Sequence, residues 1–212
     1  MITNLHSRTK ISRKNQVYQI TFGQDALFYG REYLNSLLEN PSSLINWYVK
    51  DGDYILKDQI CMEIIYSEED LQEKIKTLSY LSGISTLSYC YKAASHSIPI
   101  GGYPIKDSPL LDWEIKSLEL GGVRPQPCPE KICFSEQDLN LEDSVFALSS
   151  EMPRDQLQDI LTKIPSHKTK GLYGSILPKD LEKIQMLALD IVWPKFLEGY
   201  FPSVKFNIQP YE

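Results

Sequence analysis

Ile45 to Thr86 reads INWYVKDGDYILKDQICMEIIYSEEDLQEKIKTLSYLSGIST, and the reading of this stretch decides the fold. Ile45, Trp47 and Val49 alternate with Asn46, Tyr48 and Lys50, the period of a strand with one buried face. Asp51-Gly52-Asp53 predicts a tight turn, because Gly tolerates positive φ and Asp bonds back to the backbone. Ile60, Met62 and Ile64 alternate again as a second strand. Ser67 then caps a helix whose first turn carries Glu68, Glu69 and Asp70, and these acids read as helix-start charge rather than an acid–base pair. Leu71, Ile75, Leu78 and Ser82 follow at helical spacing, with Gly83 allowing close packing.

Towards the N-terminus, Val17, Gln19 and Thr21 alternate with Tyr18, Ile20 and Phe22 in a strand broken by Gly23 and Asp25. Ala26 to Gly30 feeds a short helix over 31–38 with Tyr33, Leu34, Leu37 and Leu38 inward, and Asn40-Pro41-Ser42-Ser43 is a turn. Residues 1–16 hold Arg8, Lys10, Arg13 and Lys14 without an apolar run, which predicts a flexible arm and no signal peptide. The long helix, about 67–94, carries Leu87, Tyr91 and Ala94 on its later turns, so an α+β unit spans 17–95.

From residue 96 the texture changes. SHSIPIGGYPIKDSP is a loop or domain crossing. A helix follows over 110–120 with Leu111, Ile115 and Leu118 on one side, stopped by Gly121-Gly122. Lys131–Phe134 and Ser144–Leu148 predict strands, and Pro153–Ile164 a helix burying Leu157, Ile160, Leu161 and Ile164. Pro178–Leu189 predicts another helix, and Asp190–Trp193 and Val204–Ile208 two more strands. Strand and helix alternate from Val145 onward, the mark of βαβ units and a parallel sheet, and the second domain spans 96–212.

Composition excludes several function classes. The formal net charge of −6 argues against a general nucleic-acid binder. No apolar run approaches the roughly 20 residues that span a membrane. Cys61 and Cys90 sit in apolar patterns and read as small core residues, and Cys128-x4-Cys133 has no second pair at ligand spacing, which argues against a zinc site and fits reduced thiols in a cytoplasmic protein. His6, His96 and His167 have neither ligand spacing nor a nucleophile partner and read as surface histidines.

The order DGD, then Gln59, then a helix ending LSGIST resembles the N-terminal domain of the quinolinate phosphoribosyltransferases, the carboxylating nicotinate-nucleotide pyrophosphorylases of NAD biosynthesis. GLYGSILPKDLEKIQMLALDIVWPKFLEGY is similar to the family's LEASGGI…G-V-D-x-I-S-V-G-x-L run, with Gly174-Ser175-Ile176 at Gly-Gly-Ile and Lys195 at the last Gly. PIKDSPLLDWEIKSLELGG resembles T-R-K-T-x-P-G-L-R…E-K-x-A-V-x-x-G-G, with Lys106, Pro109 and Lys116 in place. The resemblance implies the type II phosphoribosyltransferase fold: an α+β N-terminal domain followed by an α/β, TIM-like barrel, here incomplete. Roughly 115 residues remain after the first domain, against at least about 200 for a full barrel. It also implies a homodimer or larger assembly in which each N-terminal domain covers a neighbour's barrel.

The family binds two strongly anionic substrates, so its site is lined with cations that make charge-assisted bonds. Here the family's helix Arg falls on Gln72, the Arg of T-R-K on Ile105, the His-Arg pair near Pro127-Cys128, and a Lys near Ser135. The acids that would help hold Mg²⁺ or ribose fall near Ser150 and Met152, so Mg²⁺ is expected only if a phosphoribosyl pyrophosphate site survives. Lys106 is the one retained family-type cation, and it reads equally as an anion grip or a loop lysine. Gly174 and Ser175 could offer backbone N–H groups to a phosphate or simply make a strand-to-helix turn, and Lys195 could bind phosphate or plug the pocket. The expectation is a degenerate, non-catalytic binding or assembly module with a possible protein partner. A transferase with an altered acceptor and a phosphate-ligand sensor are the alternatives.

Overall fold

The computed structural model describes residues 16–38, 44–66, 68–104, 106–197 and 203–210. The expected arm over 1–16, apart from Gln16, the turn at 40–43 and the Ser67 cap lie outside them. The first half comprises β1 (Gln16–Phe22), β2 (Ala26–Leu27), α1 (Arg31–Ser36), β3 (Ile45–Trp47), β4 (Tyr54–Ile55), β5 (Ile60–Tyr66) and the long helix α2 (Glu68–Ser95). The second half comprises β6 (Gly101–Gly102), α3 (Leu111–Leu120), β7 (Arg124–Pro125), β8 (Ile132–Cys133), β9 (Val145–Ser149), α4 (Arg154–Lys163), β10 (Thr169–Gly174), α5 (Leu181–Ile184), β11 (Ile191–Pro194) and β12 (Phe206–Pro210).

The first sheet is antiparallel, in the order β12-β1-β5-β3. Its inner face buries Tyr18, Ile20, Phe22, Met62 and Ile64 against Leu71, Ile75 and Leu78 of α2. The DGD turn fastens the small β2–β4 pair to this unit. Gly52 N–H donates to Phe28 O at 2.9 Å and Phe28 N–H to Asp53 O at 2.9 Å. The Asp51 carboxylate accepts from Gly30 N at 2.7 Å, Arg31 N at 2.9 Å and Glu32 N at 3.3 Å, the otherwise unpaired donors that open α1.

The SGIST signature also has a structural cause. β2 pairs with β4 on one side only, and hydroxyls of α2 serve its other side. Ser82 Oγ donates to Tyr29 O at 2.9 Å and accepts from Tyr29 N at 3.2 Å. Ser85 Oγ donates to Leu27 O at 2.6 Å, while Leu27 N–H donates to Thr86 Oγ1 at 2.9 Å. Ser82 and Ser85 are fully buried, so each hydroxyl replaces a ladder partner that buried backbone requires. Farther along, Leu81, Ile84 and Tyr91 belong to a second core, so one helix is packed into both.

The second core lies under a run of parallel strands. β6 pairs with β7, and β11, β10, β9 and β8 pair in that order, all parallel. A parallel bridge between Ile100 and Val192, with Val192 N–H donating to Pro99 O at 2.9 Å, joins the two sets. The strand sequence is therefore β7-β6-β11-β10-β9-β8, and β7 and β8 are not paired among the described residues. Phe146, Leu148, Leu172 and Val192 face the helices, whereas Ala147, Ile191 and Trp193 face the other side.

Three expectations are corrected. The last strand does not extend the parallel run, although it belongs to the 96–212 stretch: β12 pairs antiparallel with β1. It is drawn back because Ser79 clasps Val204 through both its backbone oxygen (3.0 Å) and its hydroxyl, and because Phe206 stacks on Phe22 at 4.5 Å. The helix expected over 178–189 is a 3-10 turn at Pro178–Asp180 and a single α turn, α5. After Ile184 the chain tightens, with Leu187 N–H donating to Ile184 O at 2.8 Å, which buries Leu187 and leaves Met186 78% exposed. In α3 the buried face is Glu114, Ser117 and Leu118; Leu111 and Ile115 are only partly covered. Polar contacts to α2 turn the helix: Ser117 Oγ donates to Leu81 O at 2.6 Å and Tyr80 OH to Glu114 Oε1 at 2.8 Å.

Candidate functional site

In parallel α/β architectures, ligands sit beyond the carboxyl ends of the strands. The four candidate residues all lie at that end. Gly174 closes β10 opposite Pro194 of β11, Ser175 follows it, and Lys195 follows Pro194. Lys106 comes four residues after β6, and Tyr103 N–H donates to Leu197 O at 3.1 Å, tying that segment to the end of β11. Lys106, Lys195 and Ser175 are exposed.

The Gly174-Ser175 turn is set by the chain itself. Gly174 has φ of 151°, and a Cβ there would collide with the Ser150 hydroxyl, so glycine is required without invoking a ligand. Ser150 N–H donates to Tyr173 O at 2.8 Å, locking the β9 end to the β10 end. From α2, the buried Tyr91 donates its phenol to Ile176 O at 2.6 Å. Burial, with Asp180 and Cys90 adding to it, pushes that phenol up to about 12, so it stays a neutral donor at physiological pH.

A pocket of about 330 Å³ opens at this end between α4 and the α5 segment. It holds Ser150, Ser175, Arg154, Lys183 and Asp180 over an apolar floor of Leu157 and Leu172, and neither Lys106 nor Lys195 lines it. Gln72 lies elsewhere, exposed in a groove of about 310 Å³ with Ile75, Ser79 and Phe206. Pro127 and Ser135 sit in the segments flanking β8, and Ile105 is outside the described residues.

The side of the strands away from the helices carries a residue whose role the pattern of the sequence did not disclose. Trp193 is fully buried there among Ala147, Ile191, Val145 and Tyr173. Its Nε1–H donates to Gln126 O at 3.2 Å. The available signal was positional, since Trp193 stands at the serine of the D-x-I-S-V-G motif.

The donor set does not fit Mg²⁺. The family's acids fall near Ser150 and the buried thioether of Met152, and Mg²⁺ requires hard oxygen ligands, carboxylates above all. No group of three or more His, Cys, Asp or Glu side chains with metal-holding geometry occurs among the described residues. All four cysteines are free thiols; burial pushes those of Cys61 and Cys133 up, whereas Cys90, expected in the core, is exposed because it falls on the outer face of α2. His96 and His167 are exposed; His6 lies outside the described residues. No helix among the described residues is long and apolar enough to cross a membrane.

No protein-family model matches the sequence. No curated protein matches it. Solved structures do. A NadC deletion mutant aligns over 99% of this chain and 93% of its own, with a TM-score of 0.74 at 15% identity. NadC from Streptococcus pyogenes aligns over 94% of this chain and 89% of its own, with a TM-score of 0.70 at 15% identity. The nicotinate-nucleotide pyrophosphorylase of Ehrlichia chaffeensis aligns over 93% and 89%, with a TM-score of 0.73 at 11% identity. Measured against these three chains, the shortening read from the sequence is modest. The resemblance carried by the DGD, SGIST and GSI segments thus extends along the whole chain, which has the fold of the nicotinate-nucleotide pyrophosphorylases.

Proposed function

We propose that this protein is a phosphoribosyltransferase-like chain that has lost catalysis and acts as a binding or assembly module. The observation that supports the reading is the chemistry of the strand face opposite the helices, where Ala147, Ile191 and Trp193 form an apolar cluster. Quinolinate and phosphoribosyl pyrophosphate need several charge-assisted contacts, and removing one such contact costs about 10²–10³ in rate. The residues at the family's cationic positions, Gln72, Ile105, Pro127 and Ser135, supply none. We read the parallel run as an incomplete barrel, open between β7 and β8, and the chain as a shortened family member working in the cytoplasm.

The test is turnover. Purified protein with quinolinate, phosphoribosyl pyrophosphate and Mg²⁺ will form no nicotinate mononucleotide above a protein-free control. Turnover above that control would restore the enzyme reading, a transferase with an altered acceptor included. A phosphate-ligand sensor is favoured by one observation, the pairing of Ser175 with Arg154 and Lys183 in one pocket. Assembly into a homodimer or larger complex follows from unpaired strand edges at β7 and β8 and predicts a mass above the 24.4 kDa monomer by light scattering.

A further inference from the structure

We propose that the indole of Trp193 is a built-in occupant of the strand face opposite the helices: it fills a ring-shaped site that, once vacated, takes a free indole through the backbone carbonyl of Gln126. Trp193 lies on β11, and the two strands beside it each present a glycine to its ring. A Cβ on Gly101 of β6 would stand 2.5 Å from Cδ1 and Nε1, under the pyrrole edge. A Cβ on Gly171 of β10 would collide with Cζ3 and stand 2.8 Å from Cε3 and Cη2, under the benzo edge. Neither glycine lies in the left-handed region of backbone space. Their backbones would therefore accept any residue, and it is the ring that demands glycine. The indole spans three strands, resting on a floor that two missing side chains create.

The site is also polar at one point. Gln126 follows β7 at the far side of β6, and its carbonyl receives the indole N–H at 3.2 Å. Ala147 and Ile191 complete an apolar wall, with Ile132, Val145 and Tyr173 packed around it. An apolar cavity of this kind stays dry when emptied and binds a ring of matching size. Gln126 is only partly covered, but the ring shields its carbonyl on the indole side, and an acceptor shielded from water and left unpaired weakens a ligand by about 10-fold.

This inference rests on the reading of the same face as closed to substrates, but the two fail separately. Turnover by the wild type would refute the non-catalytic reading and leave the fit of the ring untouched. The test is the thermal stability of Trp193→Ala with indole and with 1-methylindole. Indole should raise the Tm of the variant saturably and leave the wild type unchanged, with 1-methylindole at least ~10-fold weaker for want of the N–H. Equal effects of indole on variant and wild type, or equal potency of the two ligands, would overturn the proposal. Should Trp193→Ala not fold, Trp193→Leu keeps the core filled while removing the ring. Gly171→Ala should then lower the urea midpoint of the wild type and leave that of Trp193→Leu unchanged. An equal loss in both backgrounds would overturn the proposal as well.

Discussion

Asp51→Ala probes the structural role of the DGD turn. The N-cap of α1 is Gly30, with φ of 130° and no side chain to offer, so the helix borrows its cap from Asp51, some twenty residues on. The carboxylate takes three backbone donors, at 2.7, 2.9 and 3.3 Å. Loss of a helix cap costs about 0.5–2 kcal/mol, and hydrogen bonds to a charged acceptor contribute about 1.5–3 kcal/mol. The Glu32 donor is exposed and water can serve it, which trims the total. The expected loss is about 2 kcal/mol, or about 4–8 °C in Tm for a chain of this size. Asp51→Asn should lose about half as much, since its amide oxygen still accepts while its NH₂ opposes the remaining donors. Asp53→Ala serves as the control, because among the described residues the Asp53 side chain accepts from Lys50 N alone, at 2.9 Å. Urea unfolding followed by circular dichroism reads all three, with the m-value held constant. The reasoning fails if Asp51→Ala lies within about 0.5 kcal/mol of wild type, or if Asp53→Ala costs as much.

Three further outcomes are expected. Leu78→Ala should cost about 2–5 kcal/mol in urea unfolding, since the leucine is fully buried in the first core, whereas the exposed Gln72→Ala should stay within about 0.5 kcal/mol. Gln72→Arg, which restores the family's cation, should confer no quinolinate binding in calorimetry, because Ile105, Pro127 and Ser135 supply no partners. Asp138 accepts from Phe134 N, Ser135 N and the Ser135 hydroxyl, which hold its carboxyl below the ordinary value of 3.8. A carboxyl lowered in the folded state stabilises it above the unfolded-state value, and that contribution is lost as pH falls through the folded value. Asp138→Asn should therefore flatten the acid limb of a stability–pH profile below about pH 4 and leave its slope near neutrality unchanged.

Much of the fold was legible because burial follows period. Tyr18, Ile20 and Phe22 sit inward as their alternation requires, and Leu71, Ile75, Leu78 and Ser82 form the expected stripe of α2. The α3 face was misread because hydrophobicity was the only guide, and the helix buries Glu114 and Ser117 to reach partners on α2. The destination of β12 was hidden because strand pattern says nothing of which sheet a strand joins; Ser79 and Phe22, far away in sequence, decide it. At the candidate site Gly174, Ser175 and Lys195 fall at the carboxyl ends of β10 and β11 and Lys106 four residues after β6, yet the cations that share a pocket with Ser175 are Arg154 and Lys183, which no motif marked. Trp193 escaped notice because a buried aromatic in a strand is ordinary, and only Gly101 and Gly171 beneath it make it unusual.

The central claim is that this fold no longer offers a site for the family's anionic substrates. Isothermal titration of quinolinate, and separately of phosphoribosyl pyrophosphate with Mg²⁺, into the wild-type protein tests it most directly. The account predicts no saturable heat from either ligand up to millimolar concentration. Saturable binding of quinolinate with a micromolar Kd, abolished by substitution of Lys106 or Lys195, would contradict it.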